Sequence, residues 1–214
     1  MEISVDKKRL YQYIFALSIF TVIYNLLEGI VSTYFGVADE TLSLFGFGLD
    51  SFIEMISGLG IIQLVIRIRQ NPNSPQTDFE KTALRITGWC LYALVGILIF
   101  GAILSIIEQH KPQNSLAGVI ISSISTGIMY WLIQGKVKIG KFLQSDAIIA
   151  DANCAKVCMY MSLVLLGASL INYLTGFLYS DVLGAFGIAW FSYQEGKEAL
   201  EKAAGIHSCE CHEH

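Results

Sequence analysis

Asp50 and Glu54 stand four residues apart in one strongly apolar stretch, Cys154 and Cys158 stand four apart in another, and Asp151 precedes Cys154 by three. On an α-helix, side chains at i and i+4 leave the same face, separated by about 40° on the helical wheel, and Asp151 falls about 20° from Cys158. Each stretch therefore carries one polar stripe. Ionisable groups are costly in hydrocarbon and mark an ion or substrate path. Two carboxylates facing two thiols make a donor set for a tetrahedral divalent ion, so the expected metal ligands are Asp50, Glu54, Cys154 and Cys158, on two helices that must face each other.

The elements that hold these residues have to be membrane helices. Of 214 residues, 54% are hydrophobic and only 15% are charged, a balance outside that of ordinary soluble domains. Six apolar stretches can be read: Tyr11 to Phe35, Leu42 to Ile66, Ala83 to Ile107, Leu116 to Ile133, Ala147 to Leu174 and Leu178 to Tyr193. Most reach the roughly 20 residues needed to cross about 30 Å of hydrocarbon, while the fourth and sixth are marginal. The expected fold class is an all-α integral membrane protein, with six transmembrane helices within residues 1–200 and a short tail at 201–214. Such a layout leaves no room for a soluble catalytic domain.

The net charge of −4 says less than the distribution of basic residues. Lys7, Lys8 and Arg9 precede the first stretch; Arg67, Arg69, Lys81 and Arg85 flank the second connection; Lys136, Lys138 and Lys141 fall in the fourth; Lys197 and Lys202 follow the sixth. The other connections hold only Lys111, so the positive-inside rule places both termini in the cytoplasm, as an even number of crossings requires. The basic start is not read as a signal peptide, because the apolar run behind it is long and contains Asn25 and Glu28. Gln70 to Thr77, rich in proline, asparagine and serine, is a connector, and Asp39 and Glu40 form a solvated turn. Gly58, Gly60, Gly96, Gly101, Gly184 and Gly187 are expected at close helix contacts.

Secondary candidates for metal binding or proton relay are Asp151, Asp181 and Glu28. Lys156 lies about 140° from Asp151 on the wheel, off the ligand face, and is expected to pair with Glu28 or Asp181 or to snorkel. Asn153 is expected to bond a neighbouring helix, and Cys90 to lie in the core. His207, Cys209, Cys211, His212 and His214 gather three of the four histidines and two of the five cysteines at the chain end. Short Cys/His tracts bind soft metals, and a cytosolic tail would keep its thiols reduced.

These residues carry a family resemblance. Gly46 to Glu54 (GFGLDSFIE) resembles the second helix of the cation diffusion facilitators, where an aspartate or histidine is followed four residues later by aspartate. Ser145 to Cys158 (SDAIIADANCAKVC) is similar to that family's fifth helix, in which a serine and an Ala-Asp step lead to His-x-x-x-Asp. Phe79, Glu80 and Lys81 with Arg85 resemble the signature before its third helix, and Asp181 matches an acidic residue of its sixth. The resemblance covers nearly the whole chain. It implies a multi-pass carrier of the bacterial inner or plasma membrane, a homodimer that moves metal ions against protons and binds no nucleic acid. Two departures stand out: cysteine and glutamate occupy ligand positions usually held by histidine and aspartate, and the cytoplasmic metal-binding domain of many members has no counterpart here.

The ligand set narrows the cargo. Thiolates favour soft ions and all-oxygen sites favour magnesium, calcium and manganese, so a mixed set points to zinc, with cadmium beside it, as the transported ion and to no permanent cofactor. Four ionised ligands around a divalent ion would leave a net negative charge in low dielectric, unless a ligand or Asp151 keeps a proton or Lys156 compensates. With a reference thiol pKa of about 8.5, an empty site holds protons that metal must expel, which is antiport chemistry. The alternatives are a soft-metal channel, for which thiols hold the ion too tightly for rapid exit, and a membrane redox protein, which lacks a Cys-x-x-Cys pair.

Overall fold

A computed structural model of the chain describes residues 2–70, 78–108, 115–143, 146–177 and 179–205. They form six α-helices and, among the described residues, no strand: α1 (Glu2–Ala38), α2 (Leu42–Gln70), α3 (Asp78–Glu108), α4 (Leu116–Leu143), α5 (Asp146–Thr175) and α6 (Ser180–Ala203). Helices satisfy their backbone groups internally, the first requirement of a chain in hydrocarbon. Five segments are long and apolar enough to cross a membrane: Gln12–Ala38, Leu42–Arg67, Lys81–Glu108, Leu116–Leu143 and Asp151–Thr175. α6 falls outside this group because Glu195, Lys197, Glu198, Glu201 and Lys202 crowd its last nine residues.

The bundle is apolar outside and more polar within. Leu27, Ile97, Phe100, Ile124 and Trp190 are exposed, whereas Ser18, Ser32, Ser122, Ser162 and Ser192 are buried. Some interior serines bond back along their own helices, as Ser18 does to the Ile14 carbonyl at 3.0 Å and Ser122 to that of Gly118 at 2.6 Å. That inversion suits a solvent of lipid tails, where small and polar residues favour helix contacts and apolar ones can face outward.

α2 is the hub, packing against α1, α3, α5 and α6. Its approach to α1 depends on two glycines. A Cβ on Gly36 would come within 2.5 Å of the Phe45 backbone nitrogen, and one on Gly48 within 2.6 Å of that of Thr33. Of the glycines expected at contacts, Gly184 abuts Ala168 and Gly187 abuts Val164, but Gly96 faces open space and has no packing role. One end of the bundle gathers Ile14 of α1, Val65 of α2, Ile139 of α4 and Ile148 of α5. Lys202 of α6 reaches Cys154 near the same end, so α1 begins where α6 finishes.

Two buried carboxylates hold helices together. Asp181, in the first turn of α6, accepts the backbone N–H of Leu42 at 2.8 Å and that of Ser43 at 3.0 Å, and takes a very short bond from the Ser43 hydroxyl. It caps α2 from a different helix, where the helix dipole and free N–H groups favour negative charge. This engagement makes Asp181 a structural cap. Asp151 of α5 pairs with Lys136 of α4 at 3.0 Å, and Lys136 is only 2% exposed. The fourth apolar stretch of the sequence ends at Ile133, which puts Lys136 in a connection. α4 instead continues to Leu143, because an interior carboxylate on α5 gives the lysine a partner.

Removing one half of a buried pair leaves an uncompensated charge, so Lys136→Met should destabilise the bundle by about 3–5 kcal/mol, while Lys136→Met combined with Asp151→Leu should recover most of that loss. Detergent-titration unfolding of the purified protein measures both. Asp181→Ala should cost about 0.5–2 kcal/mol by the same assay, the range of a lost helix cap. An unchanged unfolding midpoint in Lys136→Met would show that the pair does not hold α4 to α5.

Candidate metal centre

The second glutamate of the α2 stripe meets donors from two other helices. Carboxylate oxygens of Glu54 (α2) and Glu195 (α6) and the sulfur of Cys158 (α5) all lie within 4.8 Å of one another. The Cys158 thiol donates to Glu54 Oε1 in a very short contact, and Asn25 of α1 donates from Nδ2 to Glu54 Oε2 at 3.1 Å. Glu54 is thus oriented from two sides. Glu195 Oε2 is buried and accepts no hydrogen bond, and so is Asp50 Oδ1, one turn along α2. The Asp50 carboxyl also shares a hydrogen bond with Glu54, an arrangement that needs a proton between them. Glu54 lies 12 residues into α2, about 18 Å from its start at 1.5 Å per residue, well inside the bundle.

α2, α5 and α6 touch pairwise, which is what lets three helices each supply one donor. Asp50 is nearly fully buried beside the cluster. Cys154 is displaced from it. Its sulfur takes a hydrogen bond from Lys202 Nζ at 3.5 Å, and the same ammonium lies 2.6 Å from Glu198 Oε1. Four residues of helix put Cys154 about 6 Å nearer the Lys202 end of the bundle than Cys158. The structure therefore brings together Glu54 and Cys158, with Asp50 adjacent and Cys154 one turn away.

The secondary candidates are spread over separate contacts. Asp151 is taken by Lys136 and Asp181 by the start of α2. Glu28 accepts from the Tyr24 hydroxyl at 2.6 Å and meets the Ser51 hydroxyl at 3.1 Å. The expected pairing of Lys156 with Glu28 or Asp181 is not found. Lys156 donates to Asn153 at 2.9 Å on its own helix, and Asn153 is exposed. Charge compensation on α5 comes from Lys136 and not from Lys156. Cys90 is half-buried against the central core, and the tail residues His207, Cys209, Cys211, His212 and His214 lie outside the described residues.

Two residues of the centre escaped the sequence reading. Glu195 fell just past the boundary drawn at Tyr193, although α6 runs to Ala203 and buries Ser192, Gly196 and Ala199. That small-residue stripe was a visible sign that the inward face continues past the charged residues. Asn25 reads from the sequence only as a polar residue in an apolar run. Its spacing from Glu28, i to i+3, places two polar side chains on one face of α1, a sign of an interior polar interface.

No protein-family model matches this chain, and no curated protein sequence matches it. One sulfur and two carboxylates from three helices, with a further carboxylate a turn away, form a mixed hard and soft set suited to zinc or cadmium and poorly suited to magnesium or calcium.

Zinc titration calorimetry on the purified protein separates these roles. Cys158→Ser and Glu195→Gln should each weaken binding by more than about 10-fold, and Asn25→Ala, which only loosens Glu54, by about 10-fold. Cys154→Ser should have the smallest effect of the four. Equal losses for Cys154→Ser and Cys158→Ser would return Cys154 to the ligand set, and normal affinity in Glu195→Gln would remove α6 from the site.

Proposed function

We propose that this protein is a multi-pass membrane carrier that exports a divalent transition-metal ion, zinc or cadmium, in exchange for protons, by alternating access around the centre formed by Glu54, Cys158 and Glu195 with Asp50 beside it. The observation that carries this reading is the convergence of those donors from α2, α5 and α6 in the interior of an apolar bundle. Interior ionisable groups not taken up by a counter-charge or a helix end, as Asp151 and Asp181 are, mark an ion path. The resemblance of the α2 and α5 segments to cation diffusion facilitators supports the same reading. With α6 as a sixth crossing and both chain ends in the cytoplasm, metal enters past Cys154, Glu198 and Lys202.

The exchange follows from the donors. Cys158 holds its hydrogen against Glu54, and Asp50 shares another with Glu54, so an ion that takes Glu54 and the Cys158 sulfur displaces protons. Protons arriving from the other side restore those hydrogen bonds and release the ion. Three helices must separate on one side and close on the other for this to occur, which is the general geometry of alternating access.

Reconstituted vesicles with a controlled pH gradient test the proposal. Zinc flux should saturate, should accelerate as the compartment receiving the metal is acidified, and should fall to background in Asp50→Ala and Cys158→Ser while both variants still insert. Calorimetry in buffers of different ionisation enthalpy should show release of at least about one proton per zinc near neutral pH. Flux indifferent to the gradient together with no proton release would refute exchange and leave a passive pathway.

A further inference from the structure

Glu28 is a buried carboxyl that the metal centre does not use. It lies on α1, 6% exposed, one turn from Asn25. Tyr24 donates to its Oε1 at 2.6 Å, and Ser51 Oγ stands 3.1 Å from its Oε2. Ser51 Oγ is also 3.0 Å from the carbonyl oxygen of Phe47. A serine hydroxyl has one hydrogen, so it serves only one of these acceptors at a time. When Glu28 is ionised, Ser51 donates to it. When Glu28 carries a proton, the carboxyl donates to Ser51 and Ser51 donates to Phe47. Both states satisfy Glu28 and Ser51 without moving a heavy atom, as a site that loads and unloads a proton requires.

No lysine, arginine or histidine forms an ion pair with Glu28 among the described residues. The titratable groups that face it are Tyr24 on its own helix and Asp50 and Glu54 on α2, while α4 contributes the Ser125 hydroxyl. Asp50 and Glu54 lie close enough to feel its charge, so several ionised carboxyls would repel one another in a low-dielectric interior. A divalent cation on Glu54 replaces that repulsion with attraction. We propose that Glu28 is a proton-binding site separate from the metal ligands, filled while the centre is empty and discharged when a divalent cation occupies Glu54, Cys158 and Glu195. Its coupling to the cation rests on the carrier reading above, whereas its proton binding does not.

Infrared difference spectroscopy of the full chain in vesicles tests the two parts separately, because a protonated carboxyl absorbs apart from a carboxylate. In a pH titration without metal, a carboxyl band should appear and vanish reversibly, should be lost in Glu28→Gln, and should shift in frequency in Ser51→Ala and Tyr24→Phe, which keep the carboxyl but change its partners. A Glu28→Gln titration that retains every carboxyl band of the wild type overturns the proton site. Should Glu28→Gln fail to fold, a band unmoved by both Ser51→Ala and Tyr24→Phe overturns it equally. Adding zinc at constant pH should bleach the wild-type band, and Glu28→Gln should bind zinc while releasing about one proton fewer per ion. Equal proton release in the two proteins overturns the coupling. If wild-type protein binds no zinc, the carrier reading fails and the coupling with it, and the metal-free titration decides the proton site alone.

Discussion

Hydrocarbon cannot solvate charge, and the arrangement of this bundle follows from how each interior charge is answered by another part of the chain. Lys136 and Asp151 answer each other and fasten α4 to α5. Asp181 meets the open end of α2 and fastens α6 to it. Asn25 with Glu54, and Glu28 with Ser51, fasten α1 to α2. Lipid tails are as apolar as leucine, so burying leucines separates these helices from lipid at little gain, and polar contacts of this kind carry much of the specificity of their pairing.

At the centre, two carboxylate acceptors stay open. Beside Glu54, the outer oxygens of Asp50 and Glu195 are buried and accept no hydrogen bond. An unpartnered acceptor inside a protein carries a desolvation cost of about 1–3 kcal/mol, which a cation or a proton would relieve. The ammonium of Lys202 offers a comparison within the same molecule. It already bridges Glu198 and Cys154, so a tethered cation sits against a carboxylate and a sulfur.

Hub position and site position coincide on α2. The glycines that admit α1 closely, Gly36 and Gly48, fix the height at which Asn25 meets Glu54. The cap from Asp181 fixes where α2 begins relative to α6, and hence the depth at which Glu54 meets Glu195. Residues outside the centre thereby determine whether its donors meet. A displacement of one helical turn, about 5.4 Å, would exchange Cys158 for Cys154 at the centre.

The amino-acid sequence alone carried the helices, their number and the polar stripes on α2 and α5, because apolar run length and the 3.6-residue period are local properties of the chain. It also identified Asp50, Glu54, Cys154 and Cys158 as unusual, since the cost of a charge in an apolar stretch can be read without a fold. Which of them meet was decided only in three dimensions. A helical wheel reports the face on which a side chain lies and says nothing of its height against a neighbouring helix, so it could not separate Cys158, beside Glu54, from Cys154, beside Lys202. Nor could it show that Lys136 belongs to the interior or that Glu195 joins α2 and α5, because a charged residue near a helix end reads as solvated until its partner on another helix is known. Periodicity is written in one chain segment, whereas the pairing of charges across segments far apart in sequence exists only once the helices have packed.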